Sequence, residues 1–390
     1  MKMKLADISE KISKGSTPRG KVNYSKNEDN YFLRVTDMVD LANVFNSEFT
    51  LSDEDINKNK MKIWPVNTVL VSIEGTVGKI SILKKEMSFN QAVAGIIPNE
   101  DIINPRYLMY YLRTTPVFSG ILKGTIMPAL RLGDLADIEI EVPDMETQNK
   151  MVSIVDSITN KIDLNNEINN NLEEQLRLFF EEEILKKLNN ENTYECSLYD
   201  QFDVIDNRGK TPPLVEYSKY PIIDVKVLSG TERVINYNNC LKYVSKETYD
   251  TFFRSGHPKL YDTLLSTVGS LAELKIYLEN IGTIAQNVVA LRPKNDYPLF
   301  MYQYILSLKQ RLTSYDIGSV QPSIKVTQFM KEIIKIPKDK DLIYKFENLA
   351  NANTFKMKNL MMENRYLEQL RDTLLPKLMN GEIDLDNIEI

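Results

Sequence analysis

An α+β architecture built twice is what this sequence predicts. Two tandem mixed α/β domains are expected, separated by two long antiparallel helices that form a coiled-coil spacer, with pseudo-two-fold duplication. Three observations carry the prediction: an internal repeat at an offset of about 194 residues, a strand-rich mixed segment opening each repeat, and a long glycine-free amphipathic stretch closing it.

The repeat is read from five matches in the same order. Gly124-Thr125-Ile126-Met127-Pro128-Ala129-Leu130 aligns with Gly318-Ser319-Val320-Gln321-Pro322-Ser323-Ile324, and the segment ending at Pro143 aligns with the one ending at Pro337. Gly15-Ser16-Thr17-Pro18 lies near the same offset from Gly209-Lys210-Thr211-Pro212. Leu70-Val71-Ser72 echoes Leu264-Leu265-Ser266, and Asn90-Gln91-Ala92-Val93-Ala94 echoes Gln286-Asn287-Val288-Val289-Ala290. A unit this long is a duplicated domain and not a short solenoid repeat. The expected segments are a first mixed domain at 1–145, a long helix at 146–192, a second mixed domain at 193–338, and a second long helix with a tail at 339–390.

Within the first mixed domain, Thr68–Ile73 reads as a strand, followed by the turn signals Glu74-Gly75 and Val77-Gly78. Pro105–Thr114 reads as a helix, because proline suits the first helical turn. Its partner is expected near Pro298–Thr313.

From Glu146 to Leu188 apolar residues fall at steps of three and four, among them Met151, Val155, Ile158, Ile162, Leu172, Leu176, Phe180 and Ile184. Asp339–Met379 repeats the pattern with Ile343, Phe346, Met357, Leu360, Leu367, Leu370 and Leu374. A helix of about 40 residues is about 60 Å long. Two of them, each with one apolar stripe, should pair as a coiled coil, and Asn165, Asn166, Asn169, Asn170 and Asn171 should fix its register. Two helices packed on separate domains is the other arrangement this pattern allows.

Composition removes several function classes. The chain is 43% hydrophobic and 26% charged, an ordinary globular balance. It has no apolar run long enough to span a bilayer and no apolar leader, so a cytoplasmic location is expected. Two cysteines, Cys196 and Cys240, make neither a disulfide framework nor a zinc site. The single His257, in Ser-Gly-His-Pro, reads as a surface loop residue. The net charge of −6 argues at first against nucleic acid, but it is unevenly spread. The long segments hold 5 basic against 10 acidic residues at 146–192 and 7 against 10 at 339–390, whereas 193–338 holds 18 against 15. The acidity sits in the helices.

No catalytic motif is present. There is no phosphate-binding Gly-x-x-x-x-Gly-Lys loop and no dinucleotide fingerprint. Asn104-Pro105-Arg106-Tyr107 is similar to the Asn-Pro-Pro-Tyr motif of amino-methyltransferases, but Arg106 replaces the second proline, so it reads as a helix start. Asp144 reads as the lead into the long helix.

The chain resembles, over essentially its whole length, the specificity subunits of type I restriction–modification enzymes. The most specific segment is Arg371-Asp372-Thr373-Leu374-Leu375-Pro376-Lys377-Leu378-Met379-Asn380-Gly381-Glu382-Ile383, which matches the way family members close the second helix. Pro143 to Gln148 resembles the family's domain-to-helix junction; in the second repeat Pro337 is present but the glutamine is not. Val71–Gly78 resembles the family's strand-turn segment, and Ser266–Ser270 is its shorter counterpart.

The resemblance implies a non-catalytic DNA sequence-recognition subunit. Each mixed domain would be a target recognition domain reading one half of a split, asymmetric site. The helices would act as a ruler and dock two methyltransferase subunits, to which two restriction–translocase subunits can be added. S-adenosylmethionine is expected in the methyltransferase, and no cofactor in this chain. Candidate DNA contacts are Arg19, Lys21, Arg34, Lys79 and Arg131 in the first domain, and Arg208, Lys210, Lys226, Arg233 and Lys325 in the second. Gly15/Thr17 and Gly209/Thr211 flank the loops expected to face DNA. Arg131 and Lys325 share one repeat position. Leu370, Leu374, Leu375 and Leu378 are the candidate partner contacts. The competing reading is a coiled-coil scaffold that pairs two partner proteins without touching DNA.

Overall fold

The structure, a computed structural model, describes residues 1–19, 30–114, 130–188, 192–209, 211–316, 322–383 and 385. The chain divides into two compact units, Met1–Lys161 with Tyr366–Ile390, and Ile162–Arg365. Each unit thus comprises a mixed α/β part and a stretch of both long helices.

In the first unit, a five-stranded sheet runs in the order Ser9–Lys14, Val93–Pro98, Val69–Ser72, Ile80–Leu83, Ala42–Val44. All its pairs are antiparallel except the last. Val69–Ser72 and Ile80–Leu83 are buried throughout, as expected of apolar runs bounded by turns. Phe49–Leu51, Asn30–Leu33 and Ser88–Phe89 form a smaller sheet. The helix Pro105–Thr114 covers the large sheet with Tyr107, Leu108, Tyr110 and Leu112.

The second unit repeats this plan. Its sheet runs Phe202–Asp206, Val288–Pro293, Thr263–Ser266, Leu274–Ile276. Where the first unit has Ala42–Val44, the second keeps only a parallel bridge of Val234 to Ile276. The expected helix near 298–313 forms as two pieces, Pro298–Ser307 and Lys309–Thr313.

Both long helices form. The first is α-helical over Met145–Phe179 and continues as a π-helical turn at Phe180–Ile184. Leu176, Phe180, Ile184 and Leu188 are all buried and step by four residues. An α-helix of about 3.6 residues per turn would rotate such a series off its face; the wider π turn offsets that drift between Phe180 and Ile184, and a 3-10 turn at Leu185–Lys187 follows. The second long helix spans Lys340–Met379. Asp144 starts the first, its carboxylate accepting the Thr147 amide at 2.9 Å and hydroxyl at 2.7 Å. Gly381, with φ +70°, closes the second: the Glu382 amide reaches Lys377 O at 2.9 Å and the Gly381 amide reaches Leu378 O at 3.1 Å.

The helices pair antiparallel inside the second unit. Asn165 Nδ2 donates to Asn364 Oδ1 at 2.8 Å, Asn353 Nδ2 to Gln175 Oε1 at 2.9 Å, and Phe180 meets the Phe346 ring at 5.2 Å. Of the asparagines expected to fix the register, Asn165 is fully buried between the helices. Asn166 joins it by accepting from Asn364 Nδ2 at 2.8 Å. In the first unit, Met151, Val152 and Val155 share a core with Leu375, Leu378 and Met379.

Candidate nucleic-acid interface

One edge of each main sheet carries the same device, built from backbone hydrogen bonds outward. Ser72 ends its strand with its side chain buried; its Oγ donates to Thr76 O at 2.5 Å and accepts the Lys79 amide at 2.8 Å. Ser266 does the same with Ser270 O at 2.6 Å and the Glu273 amide at 2.8 Å. The turns so tied need left-handed residues: Gly75 and Gly78 in the first unit, Gly269 and Ala272 in the second.

The next residue of each strand is held from both sides. The Ile73 amide reaches Ala92 O at 2.8 Å, and Ile73 O accepts the Leu130 amide at 2.9 Å. The Thr267 amide reaches Asn287 O at 2.9 Å, and Thr267 O accepts the Ile324 amide at 2.8 Å. These bonds bring two further segments to the edge. One is a tight turn closed by Val93 N to Asn90 O at 3.2 Å, or by Val288 N to Ala285 O at 3.0 Å. The other places an exposed cation, Arg131 or Lys325, at the N-cap of a short helix, Leu132–Ala136 or Val326–Phe329. The shared repeat position of Arg131 and Lys325 is therefore a shared structural position. The preceding matched residues 124–129 and 318–321 lie outside the described residues.

The turn also fixes an alignment that sequence offset left one residue out. Ser72 pairs with Val93 and Ser266 with Val288, so Gln91 corresponds to Gln286, not Asn90. Both glutamines are exposed.

The remaining cations fall into three groups. Arg19 is exposed, its amide held by Asn59 Oδ1 at 2.8 Å, and Lys226 is exposed on the helix Val225–Leu228. Arg208 is exposed beside Asp206, with Nε at 2.7 Å from Oδ2. Arg34 and Lys79 are engaged at home: Arg34 bonds Glu48 at 2.6 Å and lies over the Phe49 ring, and Lys79 Nζ donates to Met38 O at 2.8 Å. Lys21 and Lys210 lie outside the described residues.

Arg233 requires a correction. Its guanidinium is wholly buried, donating to Glu173 at 2.6 and 2.8 Å, to Gln303 Oε1 at 2.7 Å and to Thr354 Oγ1 at 3.3 Å. It lies over the Tyr302 ring and presents nothing to a nucleic acid. Its place in a charged loop hid this, since Glu173 is 60 residues away. Leu375 and Leu378 need the same correction as partner contacts: at 2% and 1% exposure they belong to the first unit's own core. Leu374 is half-buried against that core, and Leu370 is exposed.

The two glycine loops match in sequence but not in physics. A Cβ on Gly15 would lie 2.1 Å from Phe89 O, so close approach demands glycine there. Gly209 stands in open space at φ +135°, so conformation demands it. In the second unit Arg208, Thr211, Lys242, Gln286 and Asn287 line a cavity of about 480 Å³. His257 is in a loop as expected, yet it is half-buried and stacks on Tyr249 at 3.7 Å; burial lowers its pKa. Cys240 is buried, which pushes its thiol up to about 12.

Sequence reasoning missed several polar links. Gln148 is fully buried; it accepts the Asn104 amide at 2.8 Å and donates to Ile102 O and Pro143 O, both at 3.0 Å. In the second unit Glu347 takes a comparable role, accepting the Phe300 amide at 2.7 Å and the Leu299 amide at 3.2 Å. Arg106 joins Asp156 at 2.7 Å and Asn43 at 2.9 Å. Among the described residues, no group of His, Cys, Asp and Glu could hold a metal ion, and no helix is long and apolar enough to cross a membrane.

Comparison with known proteins bears on this arrangement. Residues 1–174 match the family model described as type I restriction modification DNA specificity domain. The chain is 24% identical over 411 residues to the type I restriction enzyme MjaIX specificity subunit of Methanocaldococcus jannaschii, covering 99% of this chain and 94% of that one. It is 25% identical over 375 residues to the HindI specificity subunit of Haemophilus influenzae, covering 74% and 79%. A crystal structure of the type I restriction–modification S subunit from M. genitalium has the same fold, with a TM-score of 0.55 at 17% identity over 97% of this chain and 95% of that one.

Proposed function

We propose, for a chain whose first 174 residues match the model of the type I restriction modification DNA specificity domain and which resembles a specificity subunit over its whole length, that it is the DNA sequence-recognition subunit of a type I restriction–modification complex. Each mixed part reads one half of a split target. The long helices dock methyltransferase subunits, and restriction subunits join that assembly. The methyl donor and the chemistry belong to those partners, and the complex works in the cytoplasm on the host's DNA.

The observation that carries this reading is the twice-built sheet edge. In each unit a serine-tied turn, a glutamine turn and an exposed cation at the N-cap of a short helix are pinned together by backbone hydrogen bonds. A rigid edge with a cation and amide side chains suits duplex DNA, where cations meet phosphates and amides meet base edges. The loops around the two edges differ in sequence, so the half-sites differ.

The test is DNA affinity of the complex with its methyltransferase as a function of salt. Arg131→Ala and Lys325→Ala should each weaken binding uniformly across sequences and each reduce the salt slope by about 1. A wild-type complex whose affinity for DNA is unaffected by salt would instead favour the scaffold role.

A further inference from the structure

The paired glutamines have a geometry that goes beyond general DNA contact. Gln91 and Gln286 occupy the second position of corresponding tight turns, each leading into an interior strand of its sheet, the second in order. The backbone on either side is fixed: Asn90 N reaches Leu33 O at 3.1 Å and Ala285 N reaches Ile223 O at 2.9 Å, while Ala92 O and Asn287 O accept from the neighbouring strand end. Two exposed side chains on rigid, equivalent turns are thus presented at the edge that also carries Arg131 or Lys325.

The amides are also placed by their neighbours. Thr17 Oγ donates to Gln91 Oε1, which sets the orientation of that amide and, among the described residues, leaves a second lone pair and both N–H groups for a ligand. In the second unit, Gln286 lines the cavity of about 480 Å³ with Thr211, Arg208 and Lys242. A primary amide offers one acceptor and one donor side by side. Adenine offers the complementary N6–H and N7 on its major-groove edge.

We propose, resting on the DNA-reading role above, that Gln91 and Gln286 are specificity-determining residues, each selecting one adenine in the half-site read by its own unit. Arg131 and Lys325 supply backbone contacts that set the register of the duplex against them.

The experiment uses the complex of this chain with its methyltransferase and a library of DNA duplexes with randomised positions, read out by sequencing of the methylated products. Both glutamines are exposed, so Gln91→Ala and Gln286→Ala should fold as the wild type does. Gln286→Ala should lower the preference for adenine over other bases by roughly 5- to 150-fold at one position of one half-site. Gln91→Ala should do so at one position of the other half-site, and all other positions should keep their preference. Unchanged preferences in both variants, beside a clear wild-type motif, overturn this proposal and leave DNA reading intact. So does a uniform loss of methylation with the motif preserved, which would make the glutamines phosphate or positioning contacts. A wild-type complex that methylates with no sequence preference overturns DNA reading itself.

Discussion

Arg233 and Glu173 form a bidentate ion pair inside the second unit, with Nε to Oε2 at 2.6 Å and Nη2 to Oε1 at 2.8 Å. The arginine comes from the mixed part and the glutamate from the first long helix. The first unit solves the same problem with Arg106 and Asp156 at 2.7 Å. There the Tyr110 hydroxyl also donates to Asp156 at 2.7 Å, and burial pushes that hydroxyl up to about 12, so it stays a donor. In each unit a charged latch therefore fixes the mixed part to the helix, where apolar packing alone would tolerate sliding.

Breaking the latch should be costly. Glu173→Gln removes the partner of a fully buried guanidinium and should lower the stability of the second unit by about 3 kcal/mol. Urea unfolding of the full chain checks this. A loss under about 0.5 kcal/mol, the range of an ordinary surface site, would contradict the latch.

The asparagine layer should trade stability for register. Asn165→Ala leaves Asn364 and Glu363 short of a donor at a buried position and should destabilise by about 1–3 kcal/mol. Replacing Asn165 and Asn364 together by leucine should cost less than the two single changes added together, because their mutual bond is lost only once, while Glu363 and the exposed Asn166 each lose one donor. A double-mutant cycle measures the difference.

The leucines of the closing segment should separate by burial. Leu375→Ala and Leu378→Ala should each cost about 2–5 kcal/mol through cavity formation in the first unit. Leu370→Ala should change stability by under about 0.5 kcal/mol, because the side chain is exposed. On the docking role proposed for the helices, it should weaken capture of the methyltransferase subunit; pull-down of the two chains checks it.

Glu347 should make stability depend on pH. Burial raises its carboxyl to about 7, against the opposing pull of the Phe300 and Leu299 amides. A carboxyl raised above its ordinary 4.5 takes up a proton on folding, so its contribution is present at low pH and is lost as pH rises from about 4.5 through 7. Each unit of displacement is worth about 1.4 kcal/mol. Glu347→Gln cannot ionise and keeps an acceptor for one of the two amides. It should therefore lack the decline in stability that the wild type shows between pH 4.5 and pH 7. Parallel curves from pH 5 to pH 8 would contradict the burial argument.

What was legible in the sequence follows from the range of the forces involved. Helix stripes and strand turns are local patterns, so the Met145 and Lys340 helices, the 69–72 strand and the Pro105 helix were all visible. The Asp144 lead into the first helix was visible for the same reason, whereas the segment through Gly381 was read from its resemblance to the family's helix end. Arg233 was misread because its partners, Glu173, Gln303 and Thr354, come from three distant segments. Leu375 and Leu378 were misread because an apolar stripe does not say which neighbour covers it. The Gln91 to Gln286 correspondence needed strand register, since a short insertion shifts the offset between repeats without changing the hydrophobic pattern.

The central claim is that this chain gives a methyltransferase its sequence, one half-site per unit. The most direct measurement is a base-resolution methylation map of host DNA with the gene present and deleted. One split, non-palindromic motif should be methylated only when the gene is present. Methylation unchanged at every motif, with the chain and its methyltransferase both expressed and assembled, would contradict it.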